Sequence, residues 1–337
     1  MQKFLDLADL PEETIERLLA RAKALKQKPI NQSLQGRVIA LMFMNPSLRT
    51  LASMQAGVAQ LGGNSFVIQP GGGSWKLETR MGAIMDGDTV EHVREAIPVL
   101  ARYCDALAVR CFASGESIAQ DLADPVIKTL AELCDKPFIN LESAMSHPCQ
   151  VLADWKTLDD YKIPRQGGRF VLSWANHPKP LPYAVPSSAL NMAVRRGMHV
   201  TILRPDGYAL PAEIMARAQA LAARSGATIE ETADRQAGMR DAHVIYVKSW
   251  AAPSCYGRPA EEAKLRAPHR HWCVNESWFA TATPGAKLMH CLPVRRNVKV
   301  ADEVLDGPRS VVIDEAENRL HVQKAVLMEM LAKEQTW

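Results

Sequence analysis

The sequence predicts an α/β protein built from two parallel-sheet domains. Short apolar, β-branched runs alternate with helical periodicities along the chain, which is the pattern of a parallel sheet covered by helices. The alternation starts again in the second half. The length of 337 residues is that of about two domains at ~150 residues each.

Residues 11–27 predict a helix, with Ile15, Leu18, Leu19, Ala22 and Leu25 on one face. VIALMFM (38–44) reads as a buried strand, followed by a helix from Leu48 to Leu61 that Gly62-Gly63 terminates. SFVIQ (65–69) is the next strand and GGGSW (71–75) an exposed loop. A helix over 90–103, the strand ALAVR (106–110), a helix near 124–134 and the strand PFINL (137–141) come next. SAMSHPCQ (143–150) breaks the pattern, which places a linker over 142–150. In the second half the expected strands are RFVLSW (169–174), MHVTILRP (198–205), AHVIYV (242–247), KLMHCL (287–292) and SVVID (310–314). Helices are expected over 187–196, 211–225 and 315–334. The predicted architecture is two Rossmann-like parallel α/β domains joined by interdomain helices. Their bounds are 1–145 and 146–315, with a C-terminal helix over 316–337 packing back on the first.

Forty Lys and Arg against 37 Asp and Glu give a net charge of +3. That balance argues against a nucleic-acid binder, which would carry a basic face. The N-terminus has early acids and no apolar core segment, so no secretory signal is expected. No run approaches the ~20 apolar residues of a membrane helix. Seven cysteines, an odd number with no C-x-x-C pair, read as free thiols in a reducing cytoplasm.

Four polar groups stand where predicted strands end, the place an α/β active site occupies. Ser47-Leu48-Arg49-Thr50 opens a helix, whose free N–H groups attract anions. Arg49 adds a planar fork matched to phosphate oxygens, although Ser47 taken alone is an ordinary N-cap and the segment is not a Walker A loop. His147-Pro148-Cys149-Gln150, preceded by Glu142, offers a neutral imidazole and an amide that can donate to a carbonyl oxygen and stabilise an oxyanion. Read plainly, it is a helix-entry turn. His290-Cys291-Leu292-Pro293 is followed by Arg295, Arg296 and Lys299. Its thiol is either an activated nucleophile or a small polar wall. Lys248-Ser249-Trp250 ends AHVIYV; Arg110 ends ALAVR and Arg319 begins the last helix. No second histidine stands at metal-ligand spacing.

In this order, the segments Ser47–Thr50, His147–Gln150 and His290–Pro293 resemble the aspartate/ornithine carbamoyltransferase family. WKLET (75–79), MDGD (85–88), YVKSW (246–250), HCLPVRRN (290–297) and DEAENRLH (314–321) are similar to its N-acetylornithine and N-succinylornithine branches. Enzymes for plain ornithine carry an S-M-G loop where this chain has Lys248-Ser249-Trp250. The resemblance implies a cytoplasmic homotrimer of two-domain subunits with shared sites and no metal or organic cofactor. Its substrates would be carbamoyl phosphate and an N-acyl-L-ornithine, meeting in the cleft between the domains. Ser47, Leu48, Arg49, Thr50, Arg110, His147, Gln150, Cys291, Leu292 and Arg319 would bind carbamoyl phosphate. Trp75, Val90, Glu142, His177, Lys248, Arg295 and Lys299 would hold the acyl-ornithine, with Trp75 reaching in from a neighbouring subunit. Arg110, His147, Gln150 and Thr50 would stabilise the oxyanion, and Cys291 would orient substrate without forming a covalent bond.

Three positions qualify the resemblance. Leu51 stands where the family usually has a second arginine. Val90 leans toward the succinyl substrate, because an apolar side chain does not repel its extra carboxylate. Lys299 leans toward the acetyl type, in which that lysine can be carboxylated. The acetyl assignment is placed ahead. A non-catalytic paralogue would lack phosphate-contact residues, whereas every such position is filled. A dinucleotide-binding dehydrogenase would carry G-x-G-x-x-G after a strand; RFVLSW is instead followed by Ala175-Asn176-His177-Pro178-Lys179-Pro180.

Overall fold

A computed structural model describes residues 1–332. Its strands are β1 (Lys3–Phe4), β2 (Val38–Phe43), β3 (Asn64–Ile68), β4 (Leu77–Glu78), β5 (Glu91–His92), β6 (Ala106–Arg110), β7 (Phe138–Glu142), β8 (Arg169–Trp174), β9 (His199–Leu203), β10 (Ile229–Thr232), β11 (Val244–Lys248) and β12 (Lys287–Met289). The chain divides into two compact units. The first holds residues 1–113, 123–149 and those from Arg319 onward; the second holds 114–122 and 150–318. Both boundaries near the motifs fall inside helices, Pro148–Asp160 and Val312–Leu331.

In the first unit the sheet order is β1-β7-β6-β2-β3, and every pair is parallel. Both faces of the central strands are buried, which explains why VIALMF and ALAVR are continuous apolar runs rather than alternating ones. The core joins Ala40, Met42, Leu107 and Val109 to Ile97, Leu130 and Phe138. β3 lies on one side of β2 and β6 on the other, so the C-terminal ends of β2 and β6 flank the point where the strand order reverses. In open α/β sheets that is the ligand crevice.

The helix Leu48–Gln60 starts there. Ser47 has extended backbone and its Oγ accepts the Thr50 amide at 3.3 Å, a standard N-cap. Gly62 at φ 78° ends it, as the sequence expects. The last helix packs on this one. A Cβ at Gly57 would stand 3.2 Å from Lys324 Cγ, so any larger residue would make the Lys324 side chain give way by a few tenths of an ångström. Lys324 Nζ donates to Pro29 O (3.0 Å) and Gln60 Oε1 (2.7 Å), and Glu329 accepts from Arg17 (3.0 Å) and Arg21 (2.7 Å). These contacts set the height of Arg319 on the same helix.

The second unit repeats the topology with order β10-β9-β8-β11-β12, again parallel throughout. Its switch point lies between β8 and β11, whose ends lead to His177 and Lys248.

The structure corrects several expected elements. SVVID is not a strand: Ser310 makes a single bridge to Leu288, and the helix begins at Val312. Asp314 in its first turn favours a helix N-terminus, and this outweighs the β-propensity of the valines. The linker expected over 142–150 is short, because a helix starts at Pro148, whose fixed φ and missing N–H suit the first helical turn. The helix expected from 90 begins at Val93; Glu91–His92 instead pair with Leu77–Glu78. β12 ends at Met289 because the chain turns away, with Leu292 in the left-handed region at φ 53°. The edge strands β1 and β10 carry little sequence signal, the first for its length and the second because Glu230 and Glu231 read as polar. The final helix is described to Leu331; the expected helical positions from 333 onward lie outside the described residues.

Candidate active site

The first unit gathers one cluster at its switch point. Ser47 Oγ donates to Thr50 Oγ1 (2.9 Å), and Arg319 donates to the same oxygen at 2.6 Å. Leu48 is 80% exposed, so its contribution is the backbone N–H at the helix start. Arg319 is fully buried beside Arg110 and Arg49; burial first, then those two cations, push its pKa down, while Cys149 and Glu142 oppose the shift. Arg110 packs its guanidinium over Phe112 at 4.3 Å and pairs with Glu142. Glu142 also lies 3.3 Å from His147 Nε2. The Nε–H groups of Arg110 and Arg319 are buried and have no hydrogen-bond partner among the described residues. Arg49, Arg110 and Arg319 gather around the start of a helix, and the unspent Nε–H groups of Arg110 and Arg319 suit a compact polyanion such as a phosphate.

His147 is held by a residue that the sequence does not single out. Asp124, itself left-handed at φ 48°, accepts from the amides of Ala144 and Met145, both at 3.2 Å. Those bonds fix the turn that delivers His147 to Glu142. Cys149 is fully buried next to Arg319, and burial lifts its thiol pKa to about 12, which makes it packing rather than chemistry.

The second unit gathers another cluster at its own switch point. Lys248 Nζ donates to Cys291 Sγ at 3.4 Å. Arg295 Nε donates to His177 Nε2 at 3.1 Å, and His177 Nδ1 lies 2.8 Å from Lys179 O and 3.1 Å from Lys179 N. Burial, followed by the charges of Lys299, Arg295 and Lys248, lowers the His177 pKa to about 4, although its bond to Lys179 O opposes the shift. Lys299 is buried, and desolvation with the neighbouring Lys248 brings its pKa to about 7. His290 Nδ1 accepts the Leu292 amide at 2.9 Å and so shapes the turn after β12. Trp250, next to Lys248, is a core residue: its indole donates to Tyr208 O at 2.8 Å. Ser249 is buried as well, its Oγ donating to Ala175 O, so Lys248 is the half-buried member of the Lys248-Ser249-Trp250 segment.

Some expected residues fall elsewhere. The resemblance assigns Glu142 to the acyl-ornithine, but its contacts are with Arg110 and His147 in the arginine cluster. Gln150 is expected to donate to an oxyanion. Its Nε2 instead donates to Asp154 Oδ1 (2.8 Å) and Glu315 Oε1 (2.9 Å), so both protons are spent. Trp75 and Val90 lie on the small β4–β5 ribbon, 56% and 68% exposed; the Trp75 indole donates to Glu91 at 2.7 Å. Leu51 succeeds Thr50 in the helix and is half-buried. Among the described residues no His, Cys, Asp and Glu group could hold a metal ion, and no helix is long and apolar enough to cross a membrane.

Two parallel α/β units, one of them presenting an arginine-lined helix start at its switch point, define an anion-binding enzyme of the open-sheet class. The family is set by comparison. Residues 2–160 match the aspartate/ornithine carbamoyltransferase carbamoyl-P binding domain, and residues 184–330 match the Asp/Orn binding domain of the same family. The chain belongs to the aspartate/ornithine carbamoyltransferase family. It is 40% identical to the N-acetylornithine carbamoyltransferase of Xanthomonas campestris, over 99% of this chain and 98% of that one. It is 36% identical to the N-succinylornithine carbamoyltransferase of Bacteroides fragilis, over 98% of this chain and 99% of the relative. The crystal structure of an acetylornithine transcarbamylase complexed with acetylcitrulline superposes with a TM-score of 0.95 at 40% identity, covering 99% of this chain and all of that one.

Proposed function

We propose that this protein transfers the carbamoyl group of carbamoyl phosphate to the δ-amine of N-acetyl-L-ornithine, giving N-acetyl-L-citrulline and phosphate in arginine biosynthesis. The observation that carries the reading is the bond from Arg319 to Thr50 beside Arg49 and Arg110, with buried guanidinium N–H groups still unspent. In this reading Ser47, Leu48, Arg49 and Thr50 cradle the phosphate through the helix N-terminus and their side chains. Arg110, His147 and Thr50 donate to the carbamoyl oxygen as it becomes an oxyanion. The neutral δ-amine attacks the carbamoyl carbon, the C–O bond to phosphate breaks, and the departing phosphate takes the proton released by the amine. His177, Lys248, Arg295 and Lys299 hold the carboxylate and acyl ends of the acceptor. Cys291 and Leu292 form a wall. Orientation of two bound substrates and fixed charge supply the acceleration. The reading extends to a cytoplasmic homotrimer in which Trp75, on its exposed ribbon with Met81, Ile84 and Val90, reaches a neighbouring subunit's site; that apolar exposure supports a covered loop.

A second reading, succinyl-ornithine as acceptor, is favoured by Val90, where no carboxylate opposes the succinyl group. Parallel assays with ornithine, acetylornithine and succinylornithine decide. Turnover of acetylornithine well above the other two is expected; preference for succinylornithine installs the second reading, preference for ornithine overturns the assignment of Lys248, and turnover of none overturns catalysis.

A further inference from the structure

The first unit contains a buried acid for which the proposed mechanism has no use. Asp124 stands directly before the helix Pro125–Leu133, where an aspartate ordinarily caps the free amides. It makes no capping bond there. Its backbone is left-handed, at φ 48°, and its side chain is buried. Both carboxylate oxygens are spent instead on the turn 143–146, far along the chain. Oδ1 accepts the Ala144 amide and Oδ2 the Met145 amide, both at 3.2 Å, and Oδ2 also accepts the Ser143 hydroxyl. Ser143 Oγ in turn accepts Asn140 Nδ2 at 3.0 Å and the Ser146 amide at 3.3 Å, while the Ser143 amide donates to Ser146 O at 2.8 Å. Asn140 Nδ2 is anchored on Leu5 O at 2.9 Å, next to the edge strand β1. Burial raises the Asp124 pKa, and the donors of the turn, with Lys128, oppose the shift. The turn joins Glu142, at the end of β7, to His147, and it returns His147 Nε2 to 3.3 Å from Glu142, which pairs with Arg110. Asp124, the turn, His147, Glu142 and Arg110 all belong to the first unit.

We propose that Asp124 is a positioning residue: by holding the Ser143, Ala144 and Met145 donors it fixes the turn that sets the His147 imidazole beside the Glu142–Arg110 pair. This rests on the carbamoyl phosphate reading, in which His147 donates to the carbamoyl oxygen, and deepens it. In that reading Asp124 touches no substrate and acts through His147 alone. The physical ground is the supply of acceptors. Three donors of one turn meet the two oxygens of one carboxylate, and a buried donor that loses its acceptor destabilises the arrangement. Asp124→Asn keeps the size but turns one oxygen into a donor, so the amide of Ala144 or of Met145 loses its partner whichever way the new group lies. The turn then settles on other bonds and carries His147 with it. Displacing a group that must meet a developing charge slows the reaction.

The test is a double-mutant cycle of Asp124→Asn and His147→Ala in the full chain. One readout is kcat with carbamoyl phosphate and the preferred acyl-ornithine; the other is the heteronuclear NMR spectrum of the histidine rings. Asp124→Asn should lower kcat about tenfold where His147 is present and less than about twofold where it has been removed. KM for the acyl-ornithine should hold. The His147 ring resonance, assigned by its loss in His147→Ala, should move in Asp124→Asn while that of His92, on the β4–β5 ribbon of the same unit, stays. Equal kcat losses in both backgrounds, or all histidine resonances shifting together, would show a merely structural role and overturn the proposal. An unmoved His147 resonance overturns it whatever the turnover. Where Asp124→Asn fails to fold, Ser143→Ala takes its place in the cycle: it deletes the hydroxyl that links Asp124 to Asn140 and Ser146, and the same dependence on His147 is expected. A wild type inert with ornithine, acetylornithine and succinylornithine alike removes instead the reading on which the proposal rests, and the ring resonance still decides whether Asp124 places His147.

Discussion

The two units share a parallel topology and place polar residues at the same feature, the point where strand order reverses, yet they hold cations in opposite ways. In the first, a helix starts immediately beyond β2, and arginines surround its free N–H groups. A guanidinium stays charged at any working pH, so this site is a fixed anion hole. In the second, β8 runs into the Pro-rich segment His177-Pro178-Lys179-Pro180, and no helix begins until Ala184. The cations there are Lys248, Arg295 and a buried Lys299 with a pKa of about 7, set beside a neutral histidine. One scaffold gives a fixed cluster of guanidinium groups where a helix starts at the strand end, and a cluster with a lysine that titrates near neutral pH where a proline-rich loop follows the strand.

Arg49→Ala is the largest expected break in that contrast. It should weaken carbamoyl phosphate binding by about a hundredfold or more, with the thermal midpoint hardly moved because Arg49 is only half-buried. Calorimetric titration beside a melting curve checks it; normal turnover would remove the first cluster from the reaction. A smaller, complementary effect is expected from Lys248→Ala: KM for the acyl-ornithine should rise about tenfold while carbamoyl phosphate affinity is kept. Equal losses for both substrates would mean that the clusters do not divide the labour. The smallest effect concerns Lys299. Its amine takes up a proton as pH falls through about 7, and only the neutral amine reacts with carbon dioxide. A carbamate carbon signal from labelled bicarbonate should therefore grow as pH rises through about 7 and be absent in Lys299→Met. Titration instead near the ordinary lysine value of 10.5 would erase the distinction between a fixed and a tunable site.

Most of the strands and the arginine cluster are legible in the sequence because each depends on local signals. Ser47 caps a helix directly after an apolar run, and Arg110 ends a continuous one. The segments that mislead are those where the neighbours decide. SVVID has strand composition, but only Ser310 finds a partner strand. Asp154 sits in the apolar run VLADW, a lone acid whose presence there is the signal that could expose it. Trp250 marks the acceptor motif in the sequence, yet its indole is spent inside the core.

The sequence by itself determined the α/β class, the family and the residue types that meet an anion, since periodicity, capping and motif order are properties of neighbouring residues. Only the tertiary structure decided which atoms remain free to act. Gln150 could donate or accept until Asp154 and Glu315 took its protons, and nothing along the chain pairs Glu142 with Arg110 and His147 until the fold brings them together. A polar side chain's role is set by the partners that saturate its other hydrogen bonds, and those partners lie far away along the chain.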